Sequence, residues 1–187
     1  PSHAVPLDPE PVALCPRVAA SPRIDGILDD SCWEKAGRIG GFVEHQSGTP
    51  ARDATEVRLC HDAGRLYVGA RLSLADAAKL RATLTRRDSP VYQEDSFELF
   101  LDPEGRGANH YQLALNALGT LMDLSRKEHL AFNADWQAKT RRGKEGWSIE
   151  AAISFASLGG APGPGTLWGF NVGREVPATG EITCWSC

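Results

Sequence analysis

The chain has 187 residues and a formal net charge of −4, a length that allows one domain with a sizeable core. Hydrophobic residues make up 42% and charged residues 24%, a balance that excludes a disordered polar chain. The acidic excess argues against a binder of nucleic-acid phosphates, and no apolar run reaches the roughly 18 residues of a membrane span.

Residues 1–22 are proline-rich with little periodicity and read as an extended lead-in, a linker or a strand along a sheet edge. Asp25-Gly26 is a turn signal, and Asp29 or Asp30 can cap a short helix that carries Trp33 as a core plug. Val57 and Leu59 alternate in a first strand, and Asp62-Ala63-Gly64 turns the chain back. The returning strand sets Leu66, Val68, Ala70 and Leu72 inward, with Tyr67, Gly69 and Arg71 on its other side. Residues 75–87, rich in Ala, Leu, Lys and Arg, predict one short helix that ends in the basic pair Arg86 and Arg87.

The next stretch organises the rest. Residues 88–103 read D-S-P-V-Y-Q-E-D-S-F-E-L-F-L-D-P, with Phe97, Leu99 and Leu101 on one face of a strand and Ser96, Glu98 and Phe100 on the other. A Gly-rich link leads to a second alternating run in which Tyr111, Leu113 and Leu115 share a face. Matching the apolar faces sets Leu99 opposite Leu113, Leu101 opposite Tyr111 and Phe97 opposite Leu115. The opposite face then carries Glu98 beside Ala114, Gln112 beside Phe100, and Asn116 beside Ser96, with Tyr92 at the rim. If the Arg71 strand lies next to the Glu98 strand, Arg71 can pair with Glu98.

Further on, a long polar segment ends at Trp136, a second stacking platform or the start of a strand. Trp147, Ile149, Ala151 and Ile153 alternate, and so do Trp168, Phe170 and Val172, with Arg174 escaping to solvent at the strand end. Short strands between turns predict an all-β, antiparallel two-sheet sandwich over 23–187, of jelly-roll or immunoglobulin-like type. Cys184 and Cys187 have C-x-x-C spacing but lie in a strand pattern, so they read as ordinary thiols.

Motifs in a fixed order add a resemblance. I-D-G-I-L-D-D-S-C-W at 24–33, T-E-V-R-L-C-H-D-A-G-R-L-Y-V at 55–68 and Y-Q-E-D-S-F-E-L-F-L-D at 92–102 come first. Y-Q-L-A-L-N at 111–116, G-W-S-I-E-A-A-I at 146–153, W-G-F-N-V at 168–172 and T-C-W-S at 183–186 follow. Together they resemble a family 9 carbohydrate-binding module, within the wider DOMON-like superfamily. The resemblance implies a β-sandwich that binds mono- or oligosaccharides or polysaccharide ends without catalysis, often attached to glycoside hydrolases. It implies export to the periplasm or exterior, although no signal peptide opens the sequence at Pro1. Tyr92 matches the family's stacking aromatic, Glu98 its strand glutamate and Asn116 its asparagine, while Ala114 stands where the family has an arginine. The family's final strand and second aromatic lie beyond the T-x-W-S motif, and the sequence stops at Cys187, so the domain is expected without its last strand.

No cofactor is required on this reading, and structural calcium is left open, with Asp29, Asp30, Asp102 and Glu104 as oxygen donors. A hydrolase is disfavoured because Glu94 and Glu98, four residues apart on one strand, stand about 13 Å apart, beyond the range of a catalytic carboxylate pair. The alternatives are a haem-carrying electron-transfer module, with Met122 and either His110 or His129 as axial ligands, and an interaction sandwich with no sugar ligand.

Overall fold

The computed structural model describes residues 11–187. Its strands are β1 (Gly37–Ile39), β2 (Val43–Glu44), β3 (Thr55–His61), β4 (Arg65–Ser73), β5 (Ser96–Asp102), β6 (Tyr111–Asn116), β7 (Leu121–Ser125), β8 (Trp136–Gly143), β9 (Gly146–Ser154), β10 (Gly169–Val176) and β11 (Glu181–Cys184). They form two antiparallel sheets, five strands in the order β1-β3-β4-β9-β8 and six in the order β2-β11-β10-β5-β6-β7. The sheets face each other across one core. Val57, Leu59, Val68, Ile149 and Ile153 come from the first sheet, and Phe97, Leu99, Leu113, Leu115 and Val172 from the second. The β5–β6 register is the one that apolar matching demands, with Leu99 opposite Leu113, Leu101 opposite Tyr111 and Phe97 opposite Leu115.

The described end of the lead-in meets the five-stranded sheet at one bridge. Arg17 bridges His61 at the end of β3, and Val18 donates its backbone N–H to His61 at 2.8 Å. The first ten residues of the lead-in lie outside the described part. The one α-helix among the described residues, α1 (Cys32–Lys35), closes the outer side of the five-stranded sheet, where Trp33, Leu28, Tyr67 and Ala152 form a second small core.

The helix expected over 75–87 is one 3-10 turn, Ala77–Lys79, and the rest is irregular. Buried side chains capture the backbone that a helix would need. Asp95 accepts the N–H of Arg81 at 2.7 Å, and Glu94 accepts those of Thr83 and Leu84 at 2.8 Å and 3.2 Å. Asn116 and the hydroxyl of Thr120 both donate to the carbonyl of Leu84. The result is a strap pinned across the end of β5 and β6.

Arg174 does not reach solvent. It faces into the sandwich at 1% exposure and ties the sheets together, donating to the carbonyls of Ala54 and Ser73 and to the hydroxyl of Thr55. Its position follows from the β10 alternation that buries Val172 and Val176, and the loss of solvent is offset by these acceptors and by nearby Asp53, Asp95 and Glu181. Cys184 and Cys187 are joined as a disulfide with Cα atoms 6.0 Å apart, a correction to their reading as thiols. The three-residue separation lets the chain turn back immediately after β11 and bring the two sulfurs together.

Candidate functional site

The outward face of the six-stranded sheet follows from strand alternation. On β5 it carries Ser96, Glu98 and Phe100, on β6 Asn116, Ala114 and Gln112, and on β10 Glu175, Gly173 and Asn171. A 3-10 turn, Val91–Gln93, lies over part of this face. Its Val91 packs on Ala114 and Met122 in a small apolar cluster. Tyr92 therefore projects beside β5, 40% exposed.

Glu98 sits at the middle of this face. It faces Ala114 on one neighbouring strand and Gly173 on the other. It is only 6% exposed, and Gln112 donates its Nε2 to one carboxylate oxygen at 2.5 Å. Among the described residues no hydrogen bond reaches the other oxygen. Burial pushes its pKa above the ordinary value, with the Gln112 hydrogen bond acting the other way. The bare Cα of Gly173 leaves a dip beside it, since a side chain there would first meet Phe100 Cε2 at 3.4 Å and Glu98 Cβ at 3.6 Å.

A second carboxylate stands near. Glu175 faces Ser96 across β10–β5 and so is the diagonal neighbour of Glu98 on the same face, about 7–8 Å away by sheet geometry. Burial and the Glu98 charge push its pKa up to about 7. Sequence reasoning paired Glu98 with Arg71 and missed Glu175. The signal was present, because period two along G-F-N-V-G-R-E-V sets Asn171, Gly173 and Glu175 on one side.

The other expected residues divide clearly. Arg71 lies on β4 of the five-stranded sheet, opposite Glu56 and Ser148, so its strand does not neighbour β5. Trp136 begins β8 but is a core residue, buried and donating its indole N–H to Asp123 at 3.3 Å, so it offers no stacking surface. Asn116 is on the right face but has no free polar atom. Its amide donates to Leu84 O and Glu94 Oε2, and its carbonyl accepts from the N–H groups of Leu118 and Thr120. Glu94, expected on the strand, turns away to hold the strap. Burial would raise its pKa, but hydrogen bonds from Thr83 and Asn116 hold it below the ordinary value. Arg87 is spent on the buried Asp123 rather than on a rim over Glu98.

Met122 is buried in a small cluster with Val91 and Ala114. Both oxygens of Asp102 accept backbone N–H groups, from Glu104 and Gly107, and Asp30 accepts from Arg23. Among the described residues no group of three or more His, Cys, Asp or Glu side chains is arranged to hold a metal ion. Among the same residues no helix is long and apolar enough to cross a membrane.

The six-stranded sheet thus carries a buried glutamate with one hydrogen-bond donor among the described residues, and an exposed tyrosine stands on the turn that packs over Ala114. The family described as "Carbohydrate family 9 binding domain-like" matches residues 24–176. The chain belongs to this family. No curated protein sequence matches the chain. Among solved structures, the family 9 module of Caldicellulosiruptor kristjanssonii in complex with glucose is similar at TM-score 0.66 and 22% identity, over 90% of this chain and 85% of that one. The module from the same organism in complex with cellotriose gives TM-score 0.65 at 22% identity, over 91% and 83%. A candidate carbohydrate-binding protein from Bacteroides uniformis ATCC 8492 gives TM-score 0.71 at 15% identity, over 92% and 88%. At these identities the likeness is one of fold.

Proposed function

We propose that this family 9 member is a non-catalytic saccharide-binding module. A sugar ring lies against Tyr92, and Glu98 and Gln112 take its hydroxyls over the dip at Gly173. Asn116 serves from beneath, by holding Glu94 and the strap that frames this end of the sheet. The single observation that carries the reading is Glu98, a nearly buried outward carboxylate with one oxygen that accepts no hydrogen bond among the described residues and is not sealed from solvent. A sugar hydroxyl can take the place of water at that oxygen. The domain works outside the cell or in the periplasm, as a targeting part of a polysaccharide-degrading system, and it needs no cofactor.

Calorimetric titration against mono- and oligosaccharides, glucose and cellotriose among them, tests this on the wild type and on Tyr92→Ala. The expected result is heat with some sugars and its loss in the variant. A flat response from folded wild type would overturn the reading.

A further inference from the structure

Strand register sets one row of residues across the outward face of the six-stranded sheet. Cys184 stands opposite Gly173, Gly173 opposite Glu98, and Glu98 opposite Ala114. Cross-strand partners share a side, so Cys184 points outward as Glu98 does, two strand spacings or about 10 Å away. On one side of Glu98 the Val91–Gln93 turn packs over Ala114 and carries Tyr92. On the other side stands the turn that the Cys184–Cys187 disulfide closes. The dip at Gly173 lies between the two.

That second turn is docked on the same face. Asn171, outward like Gly173, donates its amide to the Ser186 carbonyl at 2.6 Å and accepts the Ser186 N–H at 3.0 Å. The Trp185 N–H donates to the Val172 carbonyl at 3.0 Å, and the Trp185 ring packs edge-on against Phe170. β11 ends at Cys184, so beyond it the disulfide is the covalent tie that keeps the turn closed. Cys184 is half-buried and Cys187 exposed, which leaves the Cys187 sulfur open to attack.

Resting on the saccharide reading above, we infer that this disulfide is a redox-sensitive latch on the sugar site. Oxidised, it holds the Cys184–Cys187 turn as a second wall facing Tyr92 across the dip. Reduced, it lets that wall loosen. A thiolate of a dithiol attacks the Cys187 sulfur, and the Cys184 sulfur departs as a thiolate that takes up a proton. The second thiol of the reagent then breaks the mixed disulfide. The dithiol ends as a cyclic disulfide, and its two electrons end on the two cysteine thiols. A loosened turn has to be ordered again whenever sugar binds, and that ordering weakens binding.

The test is calorimetric titration with glucose and cellotriose before and after treatment with dithiothreitol, at a temperature where melting curves show both forms folded. Alkylation and mass spectrometry verify that Cys184 and Cys187 take label only after reduction. Reduction is expected to weaken binding about tenfold, and reoxidation with oxidised glutathione should restore it. The double substitution Cys184→Ser with Cys187→Ser should bind like reduced wild type and ignore dithiothreitol. Without sugar, reduction should move the amide NMR signals of Asn171 and Gly173 and leave those of Gly26 and Trp33 in place. Equal affinity in both redox forms, or a dithiothreitol effect that persists in the double variant, would overturn this inference and leave the saccharide reading standing. Silence of the oxidised protein with every sugar would overturn both.

Discussion

Glu150 and Glu98 make an instructive pair. Each stands on an inner strand of its sheet, each points away from the sandwich core, and each is almost completely buried. On the five-stranded sheet, Glu150 accepts the N–H groups of Asp25 and Gly26 at 2.9 Å and the indole N–H of Trp33 at 2.7 Å. The chain itself closes that face, and Gly26 fits only because it lacks a Cβ, which would come within 2.9 Å of the Thr140 backbone. On the six-stranded sheet, Glu98 has one donor among the described residues, Gln112. Its surroundings stop short at a glycine dip and an exposed tyrosine. The same residue type is a fastener where the protein completes its shell and keeps an oxygen without a donor among the described residues where it does not.

The contrast can be broken by one substitution made twice. Glu150→Gln sets an amide donor against Trp33 or against the Asp25 and Gly26 N–H groups, so it should cost about 3 kcal/mol in denaturant unfolding. Glu98→Gln should leave stability within about 1 kcal/mol and lower sugar affinity at least about tenfold by calorimetry. Equal loss of stability at both sites would end the distinction. Between these lies Glu94→Ala, which frees the strap at residues 83–84 and should cost about 2 kcal/mol while raising proteolytic nicking there. Tyr92→Ala removes an exposed ring, with a change in stability within about 0.5 kcal/mol and a loss of sugar affinity.

The smallest effect concerns pH. Burial first, then the Glu98 charge, raises Glu175 from the ordinary glutamate value of 4.5 to about 7, with His45 acting the other way. Between these values the folded chain holds a proton that the unfolded chain releases. This group's contribution is therefore complete below about 4.5 and falls away as pH rises through 7. Wild type should lose a few degrees of Tm relative to Glu175→Gln between pH 5 and pH 8. A constant difference between the two proteins would show that Glu175 is not shifted in the folded chain.

Much of the architecture was legible in the sequence because burial imposes period two. The β5–β6 register, the turn at 62–64, and Trp33 as a core plug all follow from which faces must leave water. What was not legible depends on long-range partners. Residues 75–87 have helix-forming composition, but the acceptors that unwind them come from Glu94 and Asp95, and Asn116 and Thr120 grip the Leu84 carbonyl. Arg71 shares its alternation with any outward residue, and only strand order puts it on the other sheet. Trp136 could face either way until Asp123 and the core claimed its ring. Of the expected site residues, Glu98 and Gln112 are joined by a hydrogen bond on one face, whereas Asn116 is part of the frame.

Backbone amide NMR during a saccharide titration addresses the central claim most directly. The account predicts shifts concentrated at Tyr92, on β5 around Glu98, and on β10 around Gly173, with the Gly26 and Trp33 signals unmoved. Shifts clustered on the outer face of the five-stranded sheet instead would contradict it.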